Sequence, residues 1–85
     1  MLTKEDIILL FLEGPGKLAT ELWNKNIPKS DEIRTLICEL GNVKCAFYYA
    51  YYVDKKPTDE TRKAVSKDKF RKGGYERWEN LLKKI

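Results

Sequence analysis

The sequence predicts an all-α fold: a small stack of about six short helices, built from two helical-hairpin repeats of about 28 residues. Three observations predict it. A short phrase is written twice, its Asp, Glu, Arg and later aliphatic 28 residues apart and its prolines one residue further: Pro28-Lys29-Ser30-Asp31-Glu32-Ile33-Arg34, running on to Ile37-Cys38, and Pro57-Thr58-Asp59-Glu60-Thr61-Arg62, running on to Val65-Ser66. Apolar residues recur at helical spacing between the breakers. Capping residues stand in front of most of these stretches. The period suits one helix-turn-helix unit, with a degenerate copy over 18–38, a clear copy over 46–66 and a terminal capping helix over 75–85, all in the single domain 1–85. Stacked hairpins of this kind usually present surfaces to partners.

The first helix is expected over about residues 4–13. Thr3 caps it, Asp6 completes a variant of the capping box, and Leu2 with Ile7 forms a hydrophobic staple. Gly14-Pro15-Gly16 stops it. Its six consecutive apolar residues, Ile7–Leu12, wrap the whole circumference, so it is either covered on several sides or carries a face for self-association or a partner. A second helix over about 17–26 has Leu18, Leu22 and Trp23 as its apolar positions, and Asn24 to Pro28 ends it. Ser30 caps a third, 31–40, where Ile33, Leu36, Ile37 and Leu40 recur at helical spacing.

The fourth helix, about 43–54, is the densest stretch. On a helical wheel Val43, Ala46, Phe47, Ala50 and Val53 share one face; Tyr48 and Tyr52 lie opposite, with Tyr49 and Tyr51 at the flanks. Tyr and Val also favour strands, but the two alanines and the repeat favour helix. The tyrosines are either core with hydroxyls at its edge, or Tyr48 and Tyr52 form an exposed contact surface. Thr58 caps a fifth helix, 59–67, with a thin apolar face of Ala64 and Val65. A basic connector, Lys67 to Lys72, is expected to end at Gly73-Gly74. A sixth helix over 75–85 would turn Tyr75, Trp78, Leu81, Leu82 and Ile85 inward.

The doubled Asp-Glu-x-Arg phrase has a local explanation. Both carboxylates fall in a helix first turn, where the dipole favours negative charge. Asp31 with Arg34, and Asp59 with Arg62, stand three residues apart and can pair on the helix surface. The alternative is that Arg34 or Arg62 reaches a carboxylate of the adjacent unit or of a partner.

Eighty-five residues with a net charge of +4 make a small, charged domain. Such a chain buries only about 60–65% of its unfolded surface. The charge is uneven: residues 1–42 hold five Lys and Arg against seven Asp and Glu, residues 43–85 twelve against six. A basic half can be a solvated face, a phosphate contact or a contact for an acidic protein. Two cysteines, Cys38 and Cys45, read as reduced thiols in a cytoplasmic protein, and with no histidine they are too few to hold zinc. The six-residue apolar run is too short for a membrane span and too acidic at its flanks for a signal peptide.

Catalytic patterns are missing. There is no histidine to act as base, no phosphate loop and no nucleophile elbow, so no enzyme, cofactor or metal is expected. For nucleic acid, Lys55, Lys56, Arg71, Lys72, Lys83 and Lys84 are spread over turns and a tail rather than along one recognition helix. At most, non-specific phosphate contact follows.

The stretch Ala46-Phe47-Tyr48-Tyr49-Ala50-Tyr51-Tyr52-Val53-Asp54-Lys55-Lys56-Pro57, followed by Thr58-Asp59-Glu60-Thr61-Arg62-Lys63-Ala64, resembles a repeat found in tandem in proteins of tailed phages. Its pattern is a Tyr/Ala helix, Val-Asp-Lys, a Pro turn, then Asp-Glu-x-Arg. In the degenerate copy Lys25 stands where Asp54 does and Trp23 where Tyr52 does; the final helix departs from the pattern. The resemblance covers about two-thirds of the chain. In length, in the lack of a membrane segment and in its Leu18-x-x-x-Leu22-Trp23-Asn24 start, the chain is similar to the lysis-inhibition accessory proteins of T-even-like phages, which are cytoplasmic antiholins. That resemblance implies binding to the cytoplasmic segment of the phage holin, which postpones lysis, with no catalytic residue and with location in the host cytoplasm, at the inner membrane when the partner recruits it. Under it, Trp23, Tyr48 and Tyr52 would supply apolar contact, and Lys55, Lys56 and Arg62 charge. The alternatives are a basic nucleic-acid-associated protein and an inhibitor of a host factor.

Overall fold

Thr3 starts the first helix as its spacing predicts: its hydroxyl accepts from the Asp6 N–H at 3.2 Å, and Asp6 Oδ2 accepts from the Thr3 N–H at 2.8 Å. The computed structural model describes residues 2–84 and is all-helical, with six helices and no strand among the described residues. They are α1 (Lys4–Glu13), α2 (Pro15–Trp23), α3 (Asp31–Glu39), α4 (Val43–Tyr48, continued by the π-wound turn Tyr49–Asp54), α5 (Asp59–Val65) and α6 (Lys69–Lys83). Ser30, Asn42, Thr58 and Asp68 cap α3 to α6 through their side-chain oxygens. The all-α class is therefore shown, while the 28-residue repeat rests on the sequence phrase alone.

Two apolar clusters make the core. Ile7, Leu18, Ala19, Leu22, Ile27, Ile33, Ile37, Cys45 and Tyr49 form the first. Ala46, Ala50, Ala64, Val65 and Tyr75 form the second, with Phe47 and Trp78 packed on it. Successive positions of α4 belong to different clusters, so this helix separates and joins them. It packs on α2 and α3 on one side and on α5 and α6 on the other.

Four boundaries or faces differ from the spacing-based expectation. Pro15 starts α2 as a first-turn proline, two residues early, since a missing N–H costs nothing there. The same helix ends at Trp23, where Lys25 takes a left-handed backbone (φ 63°). The sixth helix begins at Lys69, not 75, and runs straight through Gly73-Gly74. Asp68 caps it, its carboxylate accepting from the N–H groups of Phe70 and Arg71, and this cap outweighs the two glycines. Finally, Leu81 and Leu82 do not turn into the core: they are 55% and 36% exposed. Ile85 lies outside the described residues.

The wheel for α4 was also rotated. The buried arc takes in Cys45 and Tyr49, not Val43 and Phe47, which are half-buried. On α1 only Ile7 is fully buried; Leu10 and Phe11 are half-covered, and Ile8, Leu9 and Leu12 face outward. Among the described residues, no helix is long and apolar enough to cross a membrane.

Candidate binding surface

Both copies of the Asp-Glu-x-Arg phrase open a helix whose N-cap is held from outside by a tyrosine. At α3 the Tyr49 hydroxyl donates to the Ser30 carbonyl at 2.9 Å and accepts from the Ser30 N–H at 3.1 Å. At α5 the Tyr75 hydroxyl accepts from the Thr58 N–H at 3.2 Å and bonds the Thr61 hydroxyl at 2.7 Å. Each arginine then makes both of the pairings the sequence allows. Arg34 meets Asp31 three residues back and also reaches Asp54, its Nε donating at 2.7 Å. Arg62 meets Asp59 and also reaches Glu79 on α6.

These pairs are structural. The Arg34 side chain is 12% exposed and that of Asp54 0%. The hydrogen bond that Arg34 donates to Asp54, opposed by burial, raises the Arg34 pKa, so the guanidinium stays charged. Hydrogen bonding from Arg62 holds the Glu79 carboxyl below its usual range. Burial pushes both thiols up to about 11, so Cys38 and Cys45 rest protonated and free.

With Tyr49, Ala50 and Asp54 held inward, Tyr51 and Tyr52 turn toward the surface. Tyr51, Tyr52 and Lys55 meet Trp23 and Lys25 from the end of α2 around an open cleft of about 380 Å³. Trp23 is 63% exposed there. The cleft continues as an aromatic row. The Tyr51 and Tyr52 rings are 5.0 Å apart edge to face, and Tyr52 meets Tyr48 at 5.3 Å in the same way. On the other side Tyr51 meets Trp78 at 5.3 Å. Lys44 lies over the Tyr48 ring, 5.5 Å from its centroid.

Of the residues singled out from sequence, Trp23, Tyr52 and Lys55 therefore line one cleft and Tyr48 adjoins it. Lys56 is exposed but does not line it, and Arg62 is engaged by Asp59 and Glu79 elsewhere. The structure adds Lys25, Tyr51 and Lys44. Lys25 could have been found from the Asn24-Lys25-Asn26 turn, whose polar residues end α2 beside Trp23. Tyr51 could not, because its exposure follows from the inward holding of Tyr49.

Both cleft lysines have a left-handed backbone, with φ 63° at Lys25 and 58° at Lys55. Glycine or asparagine is the usual occupant of such a position. The cleft can grip a short segment with apolar side chains against the three rings and carboxylates against the two ammonium groups. A scan against family models, a search of curated proteins and a search of solved structures each return no match.

Proposed function

We propose that the chain is a protein-interaction module that takes a short segment of a partner protein into the Trp23–Tyr51–Tyr52 cleft. The convergence of those three rings with Lys25 and Lys55 on one open concavity carries this reading. Aromatic side chains supply large contact area at low entropic cost, and amphipathic segments commonly dock in such grooves. The π-wound turn beneath the cleft and its two left-handed lysines add weight, since both features recur at functional sites.

The partner follows from the phage-type Tyr/Ala, Val-Asp-Lys, Pro, Asp-Glu-x-Arg phrase. It is the cytoplasmic segment of a phage holin, whose capture would postpone membrane permeabilisation and delay lysis. On this reading the protein works in the host cytoplasm, has no catalytic residue and needs no cofactor. The resemblance supplies the partner; the cleft supplies a place for it.

The test is a pull-down with the full chain from phage-infected cells after membrane solubilisation, with bound proteins identified by mass. Recovery of the holin, reduced by Trp23→Ala with Tyr52→Ala and persisting at raised salt, is the expected result. Recovery of nucleic acid with a steep salt dependence, or of a host protein and no holin, overturns the antiholin reading.

A further inference from the structure

The outward face of α6 has no role in the cleft or the core. Its charges and apolar residues form one pattern. At 100° per residue, Phe70, Arg77 and Leu81 fall on a single line along the helix, seven and then four residues apart. Phe70 is 91% exposed, the most exposed large apolar residue described, and Leu81 is 55% exposed. They stand about 16 Å apart along the axis. Lys69 precedes the line and Lys84 follows it, and between the two anchors the backbone at Gly73 is open, with nothing within 4 Å of where its Cβ would stand.

The charge on this face is not balanced from within. Glu76 is the helix's exposed carboxylate, and it lies 3.9 Å from Lys72. Glu79 is turned away to Arg62. Lys69 and Arg77 make no ion pair among the described residues. The first turn holds Lys69, Arg71 and Lys72 and no acid, so the cations stand where the helix dipole disfavours them. The Asp68 carboxylate at the N-cap offsets part of that cost, and no carboxylate pairs with Lys69 or Arg77 among the described residues.

We propose that this face lies on an anionic lipid surface, with Phe70 and Leu81 as its apolar anchors and Lys69, Arg77 and Lys84 on the headgroups. A helix with separated apolar anchors among cations suits the interface plane of a bilayer. Single-stranded nucleic acid fits less well, because it would need further ring faces for its bases and Leu81 has none. The inference is independent of the cleft and of the holin as partner.

Flotation of the full chain with vesicles of phosphatidylglycerol, and separately of phosphatidylcholine, tests it. The protein is expected to float with the anionic vesicles and not with the zwitterionic ones. Removing one cation, as in Lys69→Gln or Arg77→Gln, is expected to weaken binding roughly fivefold. Phe70→Ser with Leu81→Ser is expected to weaken it by more than about tenfold. All these side chains are exposed, so circular dichroism should be unchanged. Leu12→Ser, on the exposed face of α1, should float as the parent does. Absence from the anionic vesicles, indifference to the Phe70/Leu81 change, an equal loss on Leu12→Ser, or release of the protein from vesicles by a single-stranded oligonucleotide would each overturn the proposal.

Discussion

Removing Arg34 leaves the Asp54 carboxylate, 0% exposed, without its partner, whereas a guanidinium that loses Asp54 still has Asp31 and Glu60. Loss of one partner from a buried pair costs about 3–5 kcal/mol. A domain of this size has about 4–13 kcal/mol in total. Arg34→Ala is therefore expected to bring the chain close to its unfolding threshold, read as a large fall in urea midpoint. Arg34→Met combined with Asp54→Leu should recover much of that loss, since hydrophobic replacement of a buried pair is often neutral. Breaking the pair on the other copy, by Glu79→Gln, should cost far less, because Arg62 is nearly half exposed. Lys55 invites the opposite test. Its left-handed backbone suits glycine, so Lys55→Gly should stabilise the fold by roughly 0.5–1 kcal/mol in thermal unfolding. The same change should weaken capture of the partner. A variant that is more stable and binds equally well would show that Lys55 serves the turn and not the cleft.

At the scale of elements, α6 shows what local reasoning reads and what it overlooks. The caps at Thr3, Ser30 and Thr58 were legible because a polar side chain three residues from an N–H is a local fact. Asp68 is a cap of the same kind, but the glycines after it suggested a break. Both glycines have ordinary helical backbone, and a Cβ at Gly73 would meet nothing within 4 Å; at Gly74 it would touch the Phe47 ring at 3.6 Å. Gly73→Ala is therefore expected to stabilise α6 by up to about 1 kcal/mol, seen as a higher melting temperature. Gly74→Ala should do at least as well, because its methyl makes an ordinary contact with Phe47. A fall in stability for both would mean that α6 does not run unbroken through residue 73. The misplaced face of α4 has a different cause. The wheel put Tyr49 at a flank because local spacing does not show that its hydroxyl finds a buried partner in the Ser30 backbone, 19 residues away. Three members of the candidate cleft, Trp23, Tyr52 and Lys55, were still readable as an aromatic and basic set. Which of the tyrosines faces out depends on that distant bond.

The molecule as a whole is joined through one helix and two phenols. Tyr49 belongs to the first core cluster and Tyr75 to the second, and α4 contributes to both. Burial raises the pKa of each phenol above the ordinary value of 10.0, the bonds to Ser30, and to Thr61 and Thr58, opposing it only in part. The folded state thus retains two protons that the unfolded chain releases near pH 10. Stability from these groups is intact below that pH and falls as pH rises through it, until the folded phenols themselves ionise. Because either ionised phenol would sit in a cluster that shares α4 with the other, both clusters should be lost in one transition. Urea unfolding at successive pH values above 9, followed by circular dichroism and by tryptophan fluorescence, is expected to give coincident curves whose midpoints drop with pH. Tyr49→Phe with Tyr75→Phe should lower the midpoint at neutral pH, since the Ser30 and Thr58 groups lose their partners, yet flatten the alkaline slope. A slope unchanged in that double variant would place the alkaline sensitivity elsewhere, and separate transitions for the two signals would mean that α4 does not bind the clusters into one cooperative unit.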